Sequence, residues 1–289
     1  MHILNYEFRK TKRIKPITQD HPFVEAHMRY IVDDGIPPTM YIDWPEEEHK
    51  AHPPTYESQR VKIENGRPRQ EEFNLSTHGF AFVRHKSSVQ NFYDDENVRE
   101  ICYPEVQTLI KEHIGCNNVL VFDHTIRTAD EKIIAKYGVR QPVKAVHNDY
   151  TEKSAPQRVR DLLSASEAER VLQHRYAIIQ VWRPIKSIES EPLAICDGRT
   201  IPQTGFIMLQ RRYSYRTGEV YHISYNKEHK WLYFPKMTPN EALIFKVFDT
   251  DSDAGVRFTA HSAFDDPNTP SEAKPRESIE LRALAFFQN

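Results

Sequence analysis

The pattern of apolar and polar positions changes character along the chain. Up to about Gln70 it is polar and cut by prolines, in HPF, GIPPTM, DWPEEEHKAHPPTY and GRPR, so only short extended pieces fit between them. This predicts an arm wrapped on a core, or a lid over it. Phe80-Ala81-Phe82-Val83 reads as a brief strand. Asp94 to Asn97, followed by VREICYPEVQTLIKEHIG, then sets apolar residues near helical spacing and stops on Gly115. Asn118 to Asp123 reads as a buried strand, and Val143 to Asp149 as another. Between Ser154 and His174 the spacing predicts two short outer helices, the second opened by a Ser-x-x-Glu capping pattern at Ser164 or Ser166.

From Tyr176 onward the texture is strand after strand, cut by turn residues: YAIIQVWRPI, PLAICD, FIMLQRRY, GEVYHISYN, WLYFP, EALIFKVFD, RFTAHSAF and ESIELRALAFF. Runs of this kind, rich in β-branched and aromatic residues, predict a double-sheet sandwich or barrel. The expected class is therefore α+β, mainly β: a jelly roll with peripheral helices and an extended N-terminal arm. One domain is expected over residues 1–289, with 1–70 as the Pro-rich arm or lid and 75–289 as the core.

Composition narrows the function classes. With 39% hydrophobic, 28% charged and 11% aromatic residues, the chain has the makings of a sizeable core. A net charge of −2 and the lack of any long Lys/Arg block point away from nucleic acid and from anionic membrane surfaces. The start, MHILNYEFRKTKRIK, puts charges where a secretory signal needs an apolar run, and no apolar stretch is long enough to span a bilayer. Cys102, Cys116 and Cys196 read as reduced, buried thiols, and a cytoplasmic protein is the simplest expectation.

The candidate chemistry begins at AVHNDYT, residues 145–151. On a strand, His147 and Asp149 point to one side because side chains repeat with period two. His-x-Asp alone means little. A second histidine within the strand region, His261, raises its value: two imidazoles and one carboxylate leave adjacent positions of an Fe(II) ion open for a cosubstrate and O2. Further on, PRESI places Arg276 and Ser278 on one side of the last strand. A guanidinium fork with a nearby hydroxyl suits the distal carboxylate of a keto acid. Arg282 shares their parity and is a rival for that role.

These residues together resemble the Fe(II)/2-oxoglutarate-dependent oxygenases. More narrowly, HTIR (124–127), HNDYTEKSAPQRVR (147–160), VWRPI (181–185), PLAICDG (192–198), WLYFPKMTPNEALIFKVFDTD (231–251), HSAFDDP (261–267) and PRESIELRALAFF look like the family of the cephalosporin 7-alpha-methoxylase subunit and the fungal secondary-metabolite hydroxylases and desaturases. The likeness covers about residues 75 to 289. It implies a double-stranded β-helix, with His147, Asp149 and His261 as catalytic iron ligands. It also implies 2-oxoglutarate and O2 as cosubstrates, and oxidative tailoring of a small natural product by hydroxylation, desaturation, cyclisation or peroxidation. Two other readings stay open at this point. One is an iron oxidase of the same fold that uses no 2-oxoglutarate; the other is a non-catalytic jelly-roll subunit of a two-protein enzyme.

Tyr150, Thr151, Trp182 and Arg183 are candidates for a substrate pocket, with packing as the plain alternative. His124 and Arg127 face the site or belong to a polar loop. His78, His85, His113, His174, His222 and His229 have no spacing that suggests a second metal. The acidic run at 249–255 lacks the twelfth-position acid of a calcium loop and reads as a turn. Residues 30–75 are a lid, a homodimer contact or both.

Overall fold

The structure, a computed structural model, describes residues 21–253 and 255–287; the basic run at the N-terminus lies outside them. The strands in chain order are β1 (Phe23–Ile31), β2 (Thr39–Tyr41), β3 (Tyr56–Asn65), β4 (Phe80–Arg84), β5 (Asn118–Thr128), β6 (His147–Asn148) and β7 (Tyr176–Pro184). They continue with β8 (Leu193–Cys196), β9 (Phe206–Arg212), β10 (Thr217–Ile223), β11 (Trp231–Tyr233), β12 (Glu241–Asp249), β13 (His261–Ala263) and β14 (Glu277–Phe286). The helices are α1 (Asp95–Asn97), α2 (Tyr103–Ile114), α3 (Glu131–Tyr137), α4 (Ser154–Leu162) and α5 (Ala165–Leu172).

Two sheets result. One has nine strands in the order β1-β3-β11-β8-β13-β6-β10-β9-β2, the other five in the order β4-β12-β7-β14-β5. A hydrophobic layer made by residues of both, among them Phe82, Trp182, Ile195, Leu232 and Phe245, lies between them. The outer face of the smaller sheet, through Val181, Ile244, Ile279 and Leu281, packs on Val106, Leu109 and Ile110 of α2. This is the jelly-roll arrangement expected, with each of the eight C-terminal runs forming a strand. A buried side chain of this size contributes roughly 1.5–3 kcal/mol, so the two apolar faces of β7 account for its being buried along its whole length.

Local chemistry explains the helix limits. Gly115 ends α2 in the left-handed region at φ 66°, its N–H donating to the Lys111 carbonyl. Before α2, Val98–Cys102 form one π-helical turn. Of the two candidate serines, Ser164 opens α5, exchanging capping bonds with Glu167.

Two expectations need correction. The region before Gln70 holds more than short pieces: β1 is 9 residues long, β3 is 10, and they pair along their length. The prolines flank these strands rather than interrupting them, and β1 alternates strictly, with Val24, Ala26, Met28 and Tyr30 buried. β3 joins the larger sheet beside β11, in parallel. Conversely, the strand expected from Val143 to Asp149 is reduced to His147–Asn148, which carry the ladder between β10 and β13.

Candidate metal centre

The middle of the larger sheet brings the histidines together. His147 on β6 is the direct cross-strand partner of His261 on β13, and their ring centroids lie 4.3 Å apart. Asp149 follows two residues after His147, and one potential ligand atom from each of the three lies within 4.8 Å of the others. Asn148 points the other way: its amide donates to the carbonyls of Tyr150 and Val247.

Each ligand is pre-set for a cation. Nδ1 of His147 lies 2.8 Å from the Ala145 carbonyl oxygen, which can only accept, so the ring proton sits there and Nε2 keeps its lone pair. Oδ2 of Asp149 accepts from Nε2 of Gln180 and, at 3.0 Å, from Nε of Arg282. Its Oδ1 is left facing Nε2 of His147 at 3.5 Å. Burial, helped by the neighbouring His261, pushes the His147 imidazole down to about 4, and burial likewise holds His261 at about 4. Burial also works against the Asp149 charge, but the Arg282 guanidinium outweighs it and the carboxylate pKa is lowered. The set is therefore two neutral imidazoles and one carboxylate, the protonation states a divalent ion needs.

Beside the histidines lies a small cavity of about 10 Å³, lined by Arg127, Trp182, Arg276 and Glu280 as well as by His147 and His261. Arg276 is only 2% exposed, and its Nη1 donates to the Glu191 carbonyl at 2.8 Å. Its Nε finds no partner, its guanidinium lies 5.6 Å from the Trp182 ring centre, and burial lowers its pKa to about 10. The buried Ser278 hydroxyl is also unpartnered. Orphaned buried donors are costly, and of these two Arg276 lies in the lining of the cavity.

Arg282 has no such freedom. Besides Asp149 it bonds Asp123 Oδ1 and Thr125 Oγ1, each at 3.1 Å, and Glu280 Oε1 at 2.6 Å. Its guanidinium orients the aspartate and leaves no fork for a keto acid.

The remaining candidates separate by strand parity. Trp182 faces the cavity, so its neighbour Arg183 faces the opposite side of β7, where it donates to the carbonyls of His85 and Pro239. It does not reach the metal ligands. Likewise Arg127 faces in, while His124 faces out toward Tyr103, whose hydroxyl lies 3.1 Å away. The Thr151 hydroxyl accepts from the N–H groups of Lys153 and Ser154, pinning the start of α4, and donates to Glu219. Tyr150 packs in the layer between the sheets.

Gln180 and Glu280 escaped the sequence reading, and His222 was read there without a role beside the metal ligands. Gln180 interrupts the apolar run from Ala177 to Trp182 of β7, a visible signal. Arg127 and Glu280 alternate correctly with known inward positions. His222 is the cross-strand partner of His147 on its other side, with ring centroids 6.0 Å apart and Nδ1 3.1 Å from the Tyr56 hydroxyl. Only register, not sequence spacing, could have found it.

A jelly roll that holds two histidines and an aspartate beside an arginine-ended cavity defines the class, and known proteins agree. The family described as oxidoreductase/YMDC permease-like domain matches residues 28–286. The hydroxylase/desaturase efuI of Hormonema carpetanum is 34% identical over 257 residues, 81% of this chain and 85% of that protein. The Fe(II)/2-oxoglutarate-dependent dioxygenase nvfI of Aspergillus novofumigatus is 34% identical over 236 residues, 78% of this chain and 83% of that one. The solved structure of the iron and alpha-ketoglutarate-dependent endoperoxidase NvfI superposes with a TM-score of 0.83 at 27% identity, covering 93% of this chain and 99% of that one. The chain belongs to this family of fungal Fe(II)/2-oxoglutarate-dependent oxygenases, hydroxylases and desaturases, and it is an oxidoreductase. Among the described residues no helix is long and apolar enough to cross a membrane.

Proposed function

We infer that this protein oxidatively tailors a small natural product, with His147, Asp149 and His261 holding Fe(II), and Arg276 with Ser278 anchoring the distal carboxylate of 2-oxoglutarate. The observation that carries the reading is a buried, incompletely partnered arginine, Arg276, in the lining of the same small cavity as His147 and His261. That cavity also favours a keto-acid cosubstrate over an iron oxidase that needs none. When bound, the iron supplies the redox chemistry: O2 is consumed, the keto acid gives succinate and CO2, and the organic substrate is oxidised. The protein's own part is to fix the tautomer of His147, to hold Asp149 through Gln180 and Arg282, and to wall the cavity with Trp182 and Leu193. Hydroxylation, desaturation, cyclisation and peroxidation are all open to such a centre, because its residues position reactants while the metal oxidises.

The same proposal takes residues 1–289 as one catalytic unit in which the segment before Gln70 edges the core. Of residues 30–75, β3 belongs to the larger sheet, and the proposal takes the connection between β1 and β3, with exposed Ile36 and Ile42, as a lid or contact for a second copy. A reducing compartment such as the cytoplasm suits the three free, buried cysteines.

The decisive measurement is succinate release by the purified chain under air with Fe(II) and 2-oxoglutarate. The wild type is expected to form succinate, and His261→Ala to form none while losing Mn(II) binding. A variant with unchanged metal affinity and turnover would sink the assignment of the ligands.

A further inference from the structure

The far side of the smaller sheet carries a cavity of its own, about 440 Å³ in volume and far larger than the one beside the histidines. A volume of this order accommodates a small organic molecule. Lys86, Val89 and Phe92, from the connection after β4, wall it against Arg183 and Ile185 at the end of β7. Trp182 and Arg183 are neighbours in the chain, as are Arg276 and Glu277. In each pair the first lines the metal-side cavity and the second lines this one. The two cavities therefore lie on opposite faces of the smaller sheet.

The charges of this lining do not balance. Its one carboxylate, Glu277, is already taken: Nζ of Lys186 donates to Oε1 and the Tyr93 hydroxyl to Oε2, each at 2.6 Å. Glu105, close by, accepts from the Ser87 hydroxyl and the Ser88 N–H. Neither Lys86 nor Arg183 has a carboxylate within ion-pair distance among the described residues. Arg183 is almost wholly buried; Nη1 and Nη2 are spent on His85 and Pro239, while Nε finds no partner. A buried guanidinium without a counter-ion is expensive, and an anion entering the cavity would relieve it through charge-assisted hydrogen bonds. Phe92, its ring centre 5.7 Å from that guanidinium, forms with Val89 and Ile185 an apolar wall beside the charges.

We propose that this cavity is a second ligand site, separate from the metal centre, for a small organic oxyanion, a carboxylate or a phosphate ester. Lys86 and Arg183 meet its charged group, and its apolar body lies against Phe92 and Ile185. Three probes with one ring in common test this: benzoate, phenyl phosphate and the neutral benzamide.

Each probe is titrated anaerobically by calorimetry into protein saturated with Mn(II) and 2-oxoglutarate, so that the metal side is occupied. The wild type is expected to bind both anions roughly tenfold or more tightly than benzamide, the worth of hydrogen bonds to a charged group. Whichever anion binds more tightly identifies the head group, and either order upholds the site. Lys86→Glu, a change at an exposed position, is expected to weaken both anions roughly fivefold while leaving benzamide binding and the melting temperature unchanged. Arg183→Met should weaken them roughly tenfold or more, with Mn(II) and 2-oxoglutarate affinities as in the wild type. The proposal is overturned if the wild type binds none of the probes, or binds benzamide as well as the anions. It is equally overturned if Lys86→Glu binds both anions as the wild type does, which places them elsewhere on the molecule. An Arg183→Met protein with undiminished anion affinity overturns it as well; should that variant fail to fold, Lys86→Glu decides alone.

Discussion

At Asp149, one oxygen is occupied twice and the other is spared. Gln180 and Arg282 both donate to Oδ2, so Oδ1 is the atom turned toward His147 and free for a metal. The two donors also set the charge, since Arg282 is the chief group holding the carboxylate ionised against burial. Removing such an outer partner commonly costs about 10–100-fold in metal affinity. Arg282→Met is therefore expected to weaken Mn(II) binding by about that factor, measured by electron paramagnetic resonance. Gln180→Leu should cost less, because Arg282 remains. An Arg282→Met protein that binds Mn(II) normally but has lost 2-oxoglutarate would restore Arg282 as the keto-acid anchor. The sequence brought Arg282 to notice through its parity with Arg276, but parity says only which face a side chain is on. That Asp123 and Thr125 occupy its fork depends on β5 pairing with β14, which no local pattern encodes, whereas Glu280 sits two residues away on the same face of β14.

Among the elements, β7 shows how one strand divides the site from the scaffold. Gln180 and Trp182 face the metal side, whereas Val181 and Arg183 face the helical layer. Arg183 is 1% exposed and ties β7 to the segments at His85 and Pro239 through their carbonyls. Its removal strands those acceptors, each worth about 1–3 kcal/mol when left buried and unsatisfied. Arg183→Ala should lower the melting temperature by several degrees while Mn(II) and 2-oxoglutarate affinities stay unchanged; a selective loss of ligand binding with a normal melt would return it to the pocket. The alternation of β14 was legible from its sequence, and so were the eight C-terminal strands, because each carries its own apolar run between turn residues; that of β7 was not, and its neighbours Trp182 and Arg183 were read into one pocket. β1 was equally legible in principle, since FVEAHMRYI alternates, but the surrounding prolines masked it; they lie in the connections, where a missing N–H costs nothing. β6 was overestimated because two residues suffice when both neighbours are already in place.

Taken whole, the molecule keeps several histidines neutral inside a double-sheet core, and this gives it a definite response to acid. His147 and His261 are held at about 4, His222 at about 3 and His229 at about 4, in each case chiefly by burial. The ordinary value is 6.5. Between these limits the unfolded chain binds protons that the folded chain refuses, so stability rises with pH across that window and falls as pH drops from about 6.5 toward 4. Each unit of depression is worth about 1.4 kcal/mol, and four such groups acting together amount to a large share of the stability of an ordinary domain. The metal-free protein is therefore expected to lose melting temperature steadily from pH 6.5 down to pH 4.5, within the window set by these four groups. A saturating divalent ion should steepen the loss, because protons compete with it for His147 and His261. His229 stands apart from the metal, stacked on Tyr30 at 5.7 Å, and provides the control. Replacing it with Phe should flatten part of the acid response of the metal-free protein without touching the metal-dependent part. A melting temperature that stays level between pH 6.5 and 4.5 in the metal-free wild type would show that these imidazoles are not held neutral by the fold.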